Sequence, residues 1–128
     1  MQRVTGIGGI FIKAKDPGAL RAWYRKHLSI DVQPWGGYKF HWHQSDAPEP
    51  HGVTVWNVLP VECNNFAGAF MVNYRVSDLS AVLHALRREG CAVDVNVREN
   101  EYGRFGWVVD PEGNKVELWE PPSGPVPE

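Results

Sequence analysis

Glu117 is the residue of this chain best placed to do chemistry. It lies in Lys115-Val116-Glu117-Leu118-Trp119-Glu120, where alternation puts Val116 and Leu118 on one face of a strand and Lys115, Glu117 and Trp119 on the other. A carboxylate sharing its face with a tryptophan, behind an aliphatic face, fits a cavity wall as well as it fits a solvated edge strand. In a cavity it would serve as a general base. The segment before it, Asp110-Pro111-Glu112-Gly113, reads as a tight turn, because proline pre-sets φ, glycine tolerates φ > 0 and aspartate can bond its own backbone. That turn joins the Glu117 strand to a preceding one over Arg104 to Val109.

The histidines are a second source of chemistry. His41-Trp42-His43 places two imidazoles on one face of a strand, and His51 lies in the loop that follows, so these three are the donors to test for a zinc site. Parity lets only one pair face inward, and burial favours Phe40 with Trp42 over His41 with His43. His27 fits a helix C-terminus and His84 an exposed helix face. No Ser-His-Asp or Cys-His arrangement is recognisable, and neither Gly36-Gly37 nor Gly6-Ile7-Gly8-Gly9 opens a helix as a phosphate loop does. Cys63 and Cys91 lack zinc-motif spacing and are too few for a disulfide framework, so free thiols are expected.

Composition narrows the class. A chain of 128 residues with 43% hydrophobic and 22% charged residues can bury a core and is not disordered. A formal net charge of −2 with dispersed Lys and Arg gives no reason to expect nucleic acid or an anionic membrane as partner. No apolar run approaches the roughly 20 residues of a membrane span, and no secretory hydrophobic region opens the chain, so a cytoplasmic protein is expected. Six tryptophans are many for this length and would suit an apolar pocket for a small organic, aromatic molecule.

The elements that must position Glu117 are duplicated. Asp16 caps a helix running to Leu28 with Pro17 at its first position, and Asp78 caps another ending at Gly90. The offset that superposes Asp16 on Asp78 also superposes Ala19 on Ala81 and Arg25 on Arg87. Each helix follows a strand, Ile7 to Lys13 or Ala69 to Val76, and precedes further strands. These are expected near Ile30 to Pro34, Tyr38 to His43 and Val53 to Leu59, and near Ala92 to Val97, Arg104 to Val109 and Lys115 to Glu120. The reading is α+β, two tandem βαβββ modules spanning about 4–60 and 66–120 in one domain, followed by a proline-rich tail, 121–128.

This order, and the Asp110-Pro111-Glu112-Gly113-Asn114 turn leading to Glu117, resemble the vicinal oxygen chelate superfamily, which contains glyoxalase I, bleomycin-resistance proteins, fosfomycin-resistance enzymes and extradiol dioxygenases. The resemblance implies curved mixed sheets around a central cavity, and a homodimer. In metal-dependent members the first, fourth, fifth and eighth strands supply ligands, at positions matching about Gly9, Thr54 or Trp56, Met71 and Glu117. Only Glu117 keeps a donor there, whereas a bound divalent ion typically needs three or more.

Strand parity gives the remaining candidates. With Ile10 and Ile12 under the first helix, Gly9, Phe11 and Lys13 face the concavity; with Val72, Tyr74 and Val76 under the second, Met71, Asn73 and Arg75 do. Val53 and Val55 under the helix would turn Thr54 and Trp56 inward. The expected function is binding of a small aromatic molecule by Phe11, Thr54, Trp56, Met71, Asn73, Arg75 and Trp119, with Glu117 as the one candidate catalytic group and no cofactor. The alternative is a lyase, isomerase or dioxygenase using Glu117 and a divalent metal, Zn, Ni, Mn or Fe.

Overall fold

A computed structural model of the chain describes residues 3–42 and 52–123. Its elements are β1 (Val4–Ala14), α1 (Pro17–Leu28), β2 (Gly37–His41), β3 (Val53–Pro60), β4 (Phe70–Val76), α2 (Leu79–Arg88), β5 (Ala92–Val93), β6 (Arg98–Asn100), β7 (Gly103–Val109) and β8 (Lys115–Glu120). All eight strands form one curved, mixed, unclosed sheet in the order β2-β3-β1-β4-β8-β7-β5, with β6 also on β7. In each half the first strand pairs in parallel with the last, β1 with β3 and β4 with β8, and the halves join where β1 runs antiparallel to β4. The α+β architecture is as expected. No helix among the described residues is long and apolar enough to cross a membrane.

Both helices lie on one face of the sheet. The Asp16 and Asp78 carboxylates accept from the backbone N–H groups of Ala19 and Ala81, capping α1 and α2. Glu120 of β8 accepts from the Leu79 N–H at 2.8 Å and ties the start of α2 to the sheet. Leu79, Val82 and Leu83 of α2 bury themselves against Val76 and Leu118. α1 buries no residue fully; Leu20 and Tyr24 half-cover Trp56, Val58 and Ala14.

Two expected strands differ. Residues 30–34 form no strand, because Ser29 takes a left-handed conformation (φ 59°) and reverses the chain, after which the Ile30 N–H returns to the Tyr24 carbonyl. Val32 is then buried in the core beneath α1 instead of pairing along the sheet. The stretch 92–97 stops after Val93, where Asp94 accepts from the Asn96 N–H in an Asx turn, and pairing resumes only in β6.

The Asp110 turn is closed by its own side chain, which accepts from the N–H groups of Glu112 and Asn114 and from Asn114 Nδ2, each at 2.9 Å, while Gly113 takes φ +88°. Foremost the Asn114 side-chain bond, and then the backbone bonds, hold the Asp110 carboxyl below its ordinary value of 3.8. The charged form is therefore favoured by folding, so the turn's contribution is complete above the ordinary aspartate value and is lost as the pH falls through the folded one. Carboxyl-resolved NMR should show Asp110 titrating below 3.8 in the wild type and moving back toward it in Asn114→Ala; a value unchanged by that substitution would contradict the assignment.

Candidate functional site

One register row crosses the concave face from edge to edge. Lys39 of β2 pairs with Val55 of β3, Val55 with Gly9 of β1, Gly9 with Asn73 of β4, Asn73 with Glu117 of β8, and Glu117 with Trp107 of β7. Glu117 is gripped from both sides along this row. Its Oε1 accepts from Asn73 Nδ2 at 2.7 Å and its Oε2 from the Trp107 indole N–H at 2.9 Å. The Arg98 guanidinium lies 5.7 Å and the Lys115 ammonium 5.4 Å from the centroid of the Trp107 ring.

Glu117 stands between two recesses. On one side is an apolar cavity of about 420 Å³ whose walls are Phe11, Trp35, Val55, Tyr102, Phe105 and Trp119, with Lys39, Gly8, Asn73 and Glu117 completing it. Phe105 and Trp119 face each other across β7 and β8 with nearly parallel rings, 6.3 Å apart and 10° inclined. The Trp119 indole donates to the Tyr102 carbonyl at 2.7 Å, which fixes the ring as a wall. On the other side is a polar recess of about 560 Å³ containing Met71, Trp107, Asp94, Arg98, Glu99 and Lys115.

Of the residues expected to line one pocket, the structure brings Phe11, Asn73, Glu117 and Trp119 together. Trp56 is a correction: it is only 7% exposed and lies under α1, its ring 5.0 Å from that of Tyr24. Val55, not Trp56, faces the cavity, so the parity of β3 is the reverse of the expected one. Thr54 is likewise outside the cavity; its hydroxyl donates to the Ile7 carbonyl and accepts from the Trp42 indole. Met71 faces the polar recess beyond Glu117. Arg75 stacks 5.3 Å from the Trp42 ring and borders a separate cleft beside Glu120 and residues 121–123. His41 is exposed, and His43 and His51 lie outside the described residues. Cys63 and Cys91 are free thiols.

Sequence reasoning missed Gly8, Trp35, Lys39, Val55, Tyr102 and Phe105. Phe105 had a usable signal, since β7 alternates and Phe105 shares a face with Trp107. Trp35 and Tyr102 reach the cavity from turns, where no period applies.

The register also tests the metal positions the fold implies. The sheet partners of Gly9 and Glu117 are Val55 and Asn73, not Thr54, Trp56 or Met71. The row thus offers one carboxylate and one amide, and the other two positions carry no donor side chain. Moreover, the Asn73 side chain is committed to Glu117, and its Oδ1 lies 2.3 Å from where a Cβ on Gly8 would sit. These residues do not fit a divalent ion that needs at least about three protein donors. Among the described residues no group of three or more His, Cys, Asp and Glu side chains is gathered elsewhere. Protein purified without a histidine tag and dialysed is expected to carry far less than about one equivalent of Zn, Ni, Mn or Fe; a full equivalent that Glu117→Gln removes would contradict this.

Comparison with solved structures places the fold. The chain is similar to methylmalonyl-CoA epimerase from Mycobacterium tuberculosis, with a TM-score of 0.64 and 18% identity over 95% of this chain and 91% of that one. It is similar to a methylmalonyl-CoA epimerase in complex with methylmalonyl-CoA and NH4+, with a TM-score of 0.69 and 19% identity over 97% and 99% of the two chains. A glyoxalase/bleomycin resistance protein/dioxygenase superfamily member from Vibrio splendidus 12B01 shares the fold at 9% identity, with a TM-score of 0.57 over 89% of this chain and 97% of that one. No family model matches the chain, and no curated protein matches it.

Proposed function

We propose that this chain, which has the fold of the glyoxalase/bleomycin-resistance/dioxygenase structures, binds a small organic molecule with a planar apolar body in the aromatic cavity, without a divalent ion. The observation that carries this reading is the cavity itself. Five aromatic rings and Val55 enclose about 420 Å³, a volume within the range of small-molecule sites, while polar groups converge at one point, Asn73 and Glu117. A filled core would close such a space. The aromatic walls are anchored before any ligand arrives, Trp119 by Tyr102 and Glu117 by Trp107, which lowers the entropy lost on binding. A solved protein of the same fold holds an organic ligand, methylmalonyl-CoA.

Calorimetric titration with 1-naphthalenemethanol tests the reading. Saturable binding is expected in the wild type and its loss in Val55→Trp, which projects an indole into the cavity from a side chain that is not part of the core. An unchanged melting temperature in that variant would show that the cavity, and not the fold, was removed. No heat of binding from this probe or from a broad aromatic fragment set, or binding that survives Val55→Trp, would overturn it.

A further inference from the structure

The ligand class follows from which hydrogen-bonding partners the inner end of the cavity has left to offer, and it rests on the cavity reading above. Asn73 is 3% exposed; its Nδ2 is bonded to Glu117 and its Oδ1 accepts no hydrogen bond from the protein. The Trp107 indole N–H is bonded to Glu117, and the Trp119 indole N–H to the Tyr102 carbonyl. The inner end therefore presents the further lone pairs of the Glu117 carboxylate, while the Asn73 carbonyl oxygen lies beneath the surface beside Gly8. Both groups that hold Glu117 are neutral, and among the described residues no Lys, Arg or His lies within ion-pair distance of it. The Glu117 carboxylate thus faces the aromatic rings without a direct ion pair, with Arg98 and Lys115 lining the recess on its other side.

We infer that the cavity takes an organic cation, a protonated amine carried on an aromatic body, with its N–H groups on the Glu117 carboxylate. The aromatic walls add attraction for positive charge. Lys39 lines the same cavity, with its ammonium 6.0 Å from the centroid of the Tyr102 ring and outside ion-pair distance of Glu117.

The test compares three probes of one shape at pH 7 by calorimetry: 1-naphthalenemethylamine, an ammonium at this pH, neutral 1-naphthalenemethanol, and 1-naphthaleneacetate. The ammonium is expected to bind about tenfold to a hundredfold more tightly than the alcohol, as a charge-assisted hydrogen bond would give. Glu117→Gln should erase most of that preference, and the acetate should bind most weakly. The wild-type series alone decides the matter should the variant fold poorly. Equal affinity for all three, or tightest binding of the acetate, overturns the cation assignment while leaving the cavity reading intact. Binding of none of them overturns both.

Discussion

Replacing Trp56 with alanine is expected to destabilise the chain by about 3–5 kcal/mol, the usual cost of deleting a large aromatic side chain from a packed core. Trp56 is 7% exposed and belongs to the cluster with Ala14, Val32 and Val58, where Tyr24 of α1 meets it edge-on at 5.0 Å. α1 buries no residue fully, so this indole is a large part of what α1 packs upon. The resulting void has little to collapse into it. Ligand affinity in the folded fraction should change by less than about threefold, since Trp56 contributes no wall to the cavity, and sites without shared partners are close to additive. Denaturant unfolding, paired with calorimetric titration of 1-naphthalenemethanol, checks both halves. A variant as stable as the wild type that has lost ligand affinity would put Trp56 back in the cavity.

The second large effect is expected at Gly8. A Cβ there would lie 2.3 Å from Asn73 Oδ1 and 2.6 Å from the Trp119 ring, distances no pair of atoms tolerates without movement. Neither neighbour yields freely, because Asn73 is buried and tied to Glu117, and Trp119 is tied to Tyr102. Gly8→Ala should therefore cost roughly 1–3 kcal/mol, the typical range for overpacking. The same displacement disturbs the inner end of the cavity, so affinity for the naphthalene probes should fall by about tenfold or more, one hydrogen bond's worth. Combining Gly8→Ala with Asn73→Ala should cost less than the sum of the two, because the clash loses one of its partners. Full additivity would show that the methyl group never met Asn73.

How much of this was legible in the chain differs from strand to strand. β8 could be read outright: Val116 and Leu118 alternate with Glu117 and Trp119, and the turn before them fixes where the strand begins. β4 was nearly as clear, with Met71, Asn73 and Arg75 on the concave parity. Parity alone did not show that only Asn73 reaches the aromatic cavity while Met71 and Arg75 serve neighbouring recesses, because position along the strand axis depends on register with β1 and β8. β3 failed for a physical reason. Val53, Val55, Trp56 and Val58 are all apolar, so hydrophobicity does not reveal which face lies under the helix, and the side was set by Tyr24 packing on Trp56. The left-handed Ser29 that removes the strand expected over 30–34 carries no glycine or asparagine to announce it. Likewise, the Trp107 bond to Glu117 joins residues that neighbour each other only across the sheet.

The central claim is that a small organic molecule occupies the space between Trp119 and Glu117, and the indole N–H resonances of a ¹H–¹⁵N spectrum report on that space directly. Titration with 1-naphthalenemethylamine is predicted to shift the Trp119 and Trp107 indole signals saturably and together, with Trp35 following as a cavity wall, while the Trp56 and Trp23 signals on the α1 side stay in place. Saturable shifts at Trp56 or Trp23, with Trp107 and Trp119 unmoved, would contradict the account.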